Sequence, residues 1–167
     1  MLRSGWILLI ACAACGKSLT NPLEQLAPAI PTAPRTQDDT LRALVLAEVL
    51  RQGTVDLEPR PAFVILQSDF SAQLTTSALP HSQMTKFYFL TRTEIQDIAD
   101  KSGDLRYLKV APAVVQADSA HVGVGTDFAL QRKPGRSGYL EAGGGCRWPL
   151  VREPAGWRVL APQYCRI

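Results

Sequence analysis

The sequence predicts an α+β domain in which one or two N-terminal helices pack on a curved antiparallel sheet. Three observations predict this class. Helical patterns come early in the chain, strand-like patterns follow them, and hairpin-sized links join the late strands, which favours antiparallel pairing. The chain has 167 residues, of which 46% are apolar and 20% are charged. This composition is typical of one folded domain with a shorter additional segment.

Two helices are predicted from their end signals. The residues Asp-Asp-Thr at 38–40 precede an apolar stretch at 41–50, and Gly53 follows it. Acidic and hydroxyl residues suit the start of a helix, and glycine suits its end. The sequence "TRTE" at 91–94 has the spacing of a capping box. It predicts a second, short helix that ends near Gly103.

Strands are predicted where branched and aromatic residues run together or alternate with polar ones. In the clearest pattern, the even-numbered residues of 120–130 fall on one face of a strand. Pro112 interrupts another pattern, which indicates a sheet edge or a bulge. The predicted strands cover 62–68, 86–91, 107–116, 120–130, 146–153 and 156–165.

The first residues have the layout of a secretory signal. Arg3 precedes the apolar run 6–14, which is too short for a membrane-spanning helix. The segment resembles a bacterial lipoprotein signal, whose lipobox is a Leu, two small residues and a Cys. The resemblance implies that residues 1–14 are removed as a signal peptide. It also implies that Cys15 carries lipid with palmitate-type acyl chains, which would anchor the protein to a membrane of the cell envelope.

Two cysteines compete for the lipid. Cys12 fits the lipobox better, because Leu9 lies three residues before it. Cys15 is followed by polar residues, and cleavage there leaves two later cysteines that can pair. We therefore prefer Cys15 and keep Cys12 as the alternative. Neither is followed by Asp, which in enteric bacteria implies the outer membrane, facing the periplasm; a plain cleaved signal is a further alternative.

Residues 15–37 are predicted to be a tether, and residues 38–167 a single domain. The tether contains four prolines, which oppose a helix and favour extended conformations of about 3.1 Å per residue. Such a segment would hold the domain a few tens of Å from the membrane. The "GKS" at 16–18 lacks the earlier glycine of a phosphate-binding loop, because Ala11 stands at that position.

Cys146 and Cys165 are predicted to form a disulfide. If 146–153 and 156–165 form a hairpin, a two-residue turn at Ala155-Gly156 places the cysteines opposite each other, whereas the three-residue turn Pro-Ala-Gly at 154–156 requires a bulge. An oxidising periplasm permits the bond. With no His near either cysteine, we expect no metal site, and no cofactor motif is present. The net charge of +3, without a dense basic run, disfavours nucleic acid as a partner.

Catalytic candidates are few. His121 and Asp127 fall on the odd-numbered face of one predicted strand, beside Gly123 and Gly125, which leave room for a pocket. The two side chains are candidates for an acid/base pair. A sheet with one solvent-exposed polar face explains the same pattern, and we prefer that interpretation.

Glycines and aromatic residues gather near the C-terminus. The glycines at 143–145 can cradle an anion or simply start a bulged strand, and we prefer the second. Core packing is the default role for the aromatics, although a partner-binding patch is an alternative. The aromatic residues concerned are Tyr139, Trp148, Trp157 and Tyr164.

Three stretches, 87–110, 117–125 and 137–160, resemble a group of small, uncharacterised bacterial secreted lipoproteins. In that group a final hairpin has a Gly-rich entry and a Gly-Trp exit. The plan of an early helix followed by a curved antiparallel sheet is similar to NTF2-like or cystatin-like folds. The resemblance implies a fold and assigns no role to any residue.

These observations favour a non-enzymatic envelope lipoprotein that binds a protein or a small ligand. One alternative is an inhibitor or immunity-type protein that blocks a toxin or an envelope enzyme. A second alternative is a small hydrolase or isomerase that uses His121 and Asp127 in a pocket on the sheet.

Overall fold

A computed structural model of the chain describes residues 22–53, 57–71, 74–132 and 143–166. The signal segment, Cys12 and Cys15 lie outside these residues. The helices and strands of the described part are α1 (Gln37–Gln52), β1 (Phe63–Gln67), β2 (Lys86–Leu90), α2 (Arg92–Ser102), β3 (Leu105–Val110), β4 (Val114–Gln116), β5 (Ser119–Ala129), β6 (Gly145–Glu153), β7 (Gly156–Val159) and β8 (Gln163–Arg166).

Helix α1 starts slightly earlier than the sequence pattern suggests. Its N-cap is Thr36, whose hydroxyl accepts a hydrogen bond from the Asp39 amide at 3.0 Å. The Asp39 carboxylate accepts one in return from the Thr36 amide at 3.1 Å. These bonds satisfy amides that have no partner within the helix. Gly53 ends the helix, as predicted, and its φ of 81° lies in the region that favours glycine.

The capping box of α2 is confirmed. The Thr91 hydroxyl accepts from the Glu94 amide at 3.3 Å, and the Glu94 carboxylate accepts from the Thr91 amide at 2.7 Å. The helix ends at Gly103, whose amide donates to the Ala99 carbonyl. A sequence-local signal is sufficient here, because all the partners lie within one turn of the chain.

Replacing Thr91 with alanine is expected to lower the free energy of unfolding by about 1 kcal/mol, because the Glu94 amide loses its acceptor. Thr93→Ala is the matched control, since Thr93 is an exposed residue within the same helix. Urea unfolding of both variants measures the difference. An equal effect of the two substitutions would contradict the capping role.

The α+β class is confirmed, and the sheet is mixed rather than wholly antiparallel. Its strand order is β2-β1-β3-β5-β6-β7, with β4 paired to β5 and β8 paired to β6. From β3 onward every pair is antiparallel, as predicted. Strand β1 pairs parallel with β2 and with β3. These connections run through 68–85 and through α2, and they are long enough for the crossovers that parallel pairing requires.

The two helices lie on opposite faces of the curled sheet. In chain order, only α1 precedes all the strands, because α2 follows β2. On the α1 face, Leu41, Val45 and Val49 pack against Trp148 and its neighbours in the larger core. On the α2 face, Ile95 and Ile98 pack in a smaller core. That smaller core contains Leu23, Ile65, Tyr88, Leu90, Ile95, Ile98, Ala99, Tyr107 and Ala129.

Much of the predicted tether lies against the domain. Leu23, in a short 3₁₀ helix, is buried in the smaller core. The Ala29 amide donates to the Phe87 carbonyl at 2.7 Å, and the Thr32 amide donates to the Thr76 carbonyl at 3.0 Å. Part of the predicted tether therefore contacts the domain, through Leu23 in the smaller core, Ala29 at β2 and Thr32 at the turn that contains Thr76. Residues 15–21 of the predicted tether lie outside the described residues.

The disulfide between Cys146 and Cys165 is confirmed. Strands β6 and β7 meet at a two-residue turn, Pro154-Ala155, because Glu153 pairs with Gly156, so the turn lies one residue earlier than predicted. The predicted strand 156–165 is split into β7 and β8, and β8 follows a shifted register along β6. This irregularity brings Cys165 of β8 within bonding distance of Cys146. Neither helix in the described part of the chain is long and apolar enough to cross a membrane.

Candidate functional site

The structure does not bring His121 and Asp127 together. Both lie on β5, six residues apart, which corresponds to about 20 Å along an extended strand. His121 pairs across the sheet with Val114 of β4 and Pro149 of β6. This separation is too long for proton transfer between the two side chains, so the proposed acid/base pair has no geometric support.

Asp127 instead belongs to a buried polar cluster. Its Oδ2 accepts from Lys109 Nζ at 2.8 Å and from the Tyr107 hydroxyl at 3.3 Å. Its Oδ1 accepts from the Phe128 amide at 3.0 Å and the Gly143 amide at 3.3 Å. Gly143, in the glycine run, thus binds a carboxylate of the protein itself. Because both carboxylate oxygens have hydrogen-bond partners, Asp127 holds the segment that precedes β6 against β5.

The protonation states of Asp127 and Tyr107 suit a structural role better than acid/base catalysis. Burial alone would raise the pKa of Asp127, but hydrogen bonds from Lys109 and the two amides lower it overall. Burial, with the neighbouring Asp127 charge, raises the pKa of Tyr107 to about 12. Asp127 is therefore ionised at neutral pH and Tyr107 keeps its proton, so neither group is tuned for proton exchange near pH 7.

Asp127→Asn is expected to lower the free energy of unfolding by about 2 kcal/mol at pH 7, because Lys109 and Tyr107 lose an anionic acceptor. The folded-state pKa of Asp127 lies below its ordinary value of 3.8. Its stabilising contribution is therefore present above that pH and is lost as the pH falls through the folded pKa. Denaturant unfolding at several pH values should show the two proteins converging below about pH 4. A constant difference across this range would contradict the assignment.

A glycine-floored trough opens on the α2 face, over the strands that α2 leaves uncovered. Its floor contains Gly123 and Gly125 of β5 and Gly145 of β6, and it encloses about 410 Å³. One cross-strand row runs Lys109–Gly125–Gly145–Arg166, because each is the register partner of the next. Two cations therefore flank a glycine floor, about 14 Å apart at their Cα atoms if strands are spaced ~4.8 Å.

The backbone does not require glycine at two of the floor positions. A Cβ at Gly123 would meet only the Ala111 Cβ at 3.5 Å, and a Cβ at Gly125 would meet the Gly144 carbonyl oxygen at 3.5 Å. Both are ordinary contacts, and neither glycine has a positive φ. Glycine inside a strand costs stability relative to a residue with a side chain. What these glycines do provide is open space above the sheet.

Cations stacked on aromatic rings form the sides of the trough. Lys109 Nζ lies 5.3 Å from the centre of the Phe70 ring. The Arg147 guanidinium carbon lies 5.6 Å from the centre of the Tyr164 ring. Tyr164 is 79% exposed and has a φ of 51°, a region that residues other than glycine rarely adopt. Residues with such strained backbone conformations cluster at active sites and ligand-binding sites.

The trough is electropositive. Lys109, Arg147 and Arg166 line it, and no carboxylate does so among the described residues. Lys109 is paired with Asp127, whereas Arg147 and Arg166 form no ion pair within the described part of the chain. Counted over the described residues, the local charge is thus about two positive units at neutral pH.

Sequence reasoning found the odd-numbered face of β5 and its glycines but missed the three cations. The periodicity of one strand gives no register with its neighbours. The row that joins Lys109 to Arg166 depends on three pairings and on the irregularity that splits β7 from β8. Arg147 lies two residues after Gly145, so the alternation of β6 alone places the two residues on the same face of the sheet. This is the one signal in the sequence that points to a cation of the trough.

Asp69, which lies two residues after β1, and the tryptophans near the C-terminus have structural roles. Asp69 accepts hydrogen bonds from Gln67 and from the Arg92 amide at the start of α2. Trp148 is fully buried and Trp157 packs at the edge of the same core, while Tyr139 lies outside the described residues. No group of three metal-ligating side chains occurs in the described part of the chain.

A larger cleft of about 640 Å³ lies between the diverging ends of β1 and β3. Its walls are mainly apolar and include Phe63, Leu105 and Phe128. The space between α1 and the sheet, by contrast, is filled by the larger core.

No family model matches the sequence, and the search of curated proteins gave no match. Among solved structures, the chain is similar to an NTF2-like protein with a cystatin-like fold from Novosphingobium aromaticivorans, at 21% identity and a TM-score of 0.23. The likeness covers 75% of this chain and 69% of that chain. At this TM-score it says nothing about function, and the α+β class rests on the helices and strands described above.

Proposed function

We propose that this protein is a non-enzymatic binding module of the bacterial cell envelope, anchored by lipid on Cys15, and that it binds its partner in the glycine-floored trough. The trough carries the proposal. It combines open space above the strand backbone, exposed aromatic surface and charged donors, which together are typical of ligand sites. On the α1 face, the protein's own side chains fill the space between the helix and the sheet.

The envelope location is supported by the signal-like N-terminus and by the disulfide. The Cys146–Cys165 bond suits an oxidising compartment such as the periplasm. With these two cysteines paired, Cys15 and Cys12 are the remaining thiols of the chain. A lipid on Cys15 would leave only residues 15–21 as a spacer, so the domain would lie close to the membrane.

The anchor is tested by mass spectrometry of the mature N-terminus. We expect a lipidated peptide that begins at Cys15, and membrane association that Cys15→Ser abolishes and Cys12→Ser preserves. A lipidated N-terminus at Cys12 would move the anchor to that residue. An unmodified chain in the aqueous fraction would overturn the anchor altogether.

The binding face is tested by photo-crosslinking in cells. A photoreactive phenylalanine analogue placed at Tyr164, at the rim of the trough, is expected to give specific adducts. The same analogue at Met84 is the control, because Met84 is 73% exposed and precedes β2 at the far edge of the sheet. Adducts at both positions, or at neither, would overturn the proposal.

A further inference from the structure

The trough has the charge and shape to select its ligand by chemical class. This step rests on the proposed function, because it places the ligand in the same trough. Guanidinium groups donate paired, charge-assisted hydrogen bonds to tetrahedral oxyanions and to carboxylates. Arg147 and Arg166 are exposed and without carboxylate partners in the described residues, so both can turn their donors toward a bound anion.

The arrangement of donors favours one compact, doubly charged group. Lys109 approaches from the β3 side of the floor, and Arg166 approaches from the β8 side in the same cross-strand row. Arg147 lies in the next row, opposite Gly123. Donors on three sides suit a tetrahedral group with several acceptor oxygens better than a planar carboxylate with two. The net local charge of about two positive units matches a dianion.

The aromatic rings of Phe70 and Tyr164 favour an anion that carries an organic group. Phe70 and Tyr164 already stack on cations, and their remaining surface borders a floor without side chains. A flat organic group attached to the anion can lie over Gly123 and Gly125 and contact the exposed Tyr164 ring.

We propose that the trough binds a phosphate monoester, with its phosphate held by Arg147, Arg166 and Lys109 and its organic group lying over the glycine floor. A phosphate monoester carries close to two negative charges above its second pKa of about 6. Two sources share this chemistry, namely a soluble phosphate ester and the headgroup of a phosphatidic acid-type lipid. The second source is within reach if the domain lies near a membrane.

The test is a titration of the full chain, purified in detergent micelles, with phenyl phosphate. Binding is monitored by NMR of the Gly123, Gly125 and Gly145 amides, which form the floor. We expect saturable shifts at these amides, and affinity about tenfold lower for Arg147→Gln or Arg166→Gln. Arg158→Gln is the matched control, because it removes the same charge from β7, where Arg158 pairs with Glu153 outside the trough. Phenyl sulfate, with one negative charge, should bind about tenfold more weakly.

Four outcomes overturn this proposal. They are no saturable shift, no loss in the two arginine variants, an equal loss in Arg158→Gln, and equal affinity for phenyl sulfate. Sedimentation with phosphatidylcholine vesicles, with and without phosphatidic acid, then assigns a positive result to the lipid or the soluble source. If Tyr164 gives specific crosslinks in cells while phenyl phosphate fails to bind, the proposed function stands and only the ligand class is wrong.

Discussion

Trp148→Ala is expected to lower the free energy of unfolding by about 4 kcal/mol, the largest effect of any single substitution considered in this protein. Trp148 lies in the middle of β6 with no exposed surface, and it is the largest fully buried side chain described. It joins α1 to the strands of the larger core. Alanine there leaves a cavity that α1 can close only by moving as a unit, so little of the loss is recovered.

Trp157→Ala is the matched control for Trp148→Ala. Trp157 is the same residue type on the next strand, β7, but it is only partly buried at the edge of that core. Its loss is expected to cost about half as much or less, because solvent already reaches it. Guanidinium unfolding followed by circular dichroism measures both variants. Equal losses would contradict the central packing of Trp148.

Trp148→Phe separates packing from hydrogen bonding. The Trp148 Nε1 donor is buried without an acceptor among the described residues. Phenylalanine removes that unsatisfied group while retaining most of the apolar surface. The expected loss is therefore well below that of Trp148→Ala.

Removing the disulfide is the second large effect. The double variant Cys146→Ala/Cys165→Ala is expected to lose about 3 kcal/mol, because the bond closes a loop across a sequence separation of 19 residues. For a domain of this size the melting temperature should fall by roughly 10 °C. The loss of stability should be greatest in β8, because its pairing with β6 is irregular.

A reducing agent provides the internal control for the disulfide. Reduction of the wild-type chain should reproduce the loss, and it should leave the double variant unchanged. A double variant as stable as the oxidised wild type would show that β8 does not need the bond. The same variant should also weaken phosphate ester binding, since β8 supplies Arg166 and Tyr164 to the trough.

The elements that sequence reasoning predicted best are those whose signals are local. The capping box at Thr91 and the glycine that ends α1 involve partners within one helical turn, so their spacing in the sequence is enough. The alternation in β5 likewise reports which side chains face the core. The even-numbered residues are buried from Ala120 to Thr126, and beyond this point the odd-numbered Asp127 and Ala129 are buried as well, because the smaller core covers their face at this end of β5.

The features that sequence reasoning missed depend on long-range pairing. Parallel pairing of β1 with β2 and β3 requires knowing that two long connections cross the sheet in the same sense. The packing of Leu23 and Ala29 on the domain was hidden by the prolines around them, since proline excludes a helix but is compatible with a short 3₁₀ turn and an extended edge segment. The cations of the trough come from three strands, and only the register unites them.

We propose the trough over β5 and β6 as the surface that this protein uses to bind. The most direct measurement fills it with Gly125→Leu and repeats the photo-crosslinking at Tyr164, after thermal unfolding has shown that the variant folds. A Cβ at Gly125 meets only ordinary contacts, so the added side chain should occupy the trough without displacing the strand. We predict that the Tyr164 adducts disappear in this variant. Adducts that persist at wild-type yield in a folded Gly125→Leu protein would contradict the account.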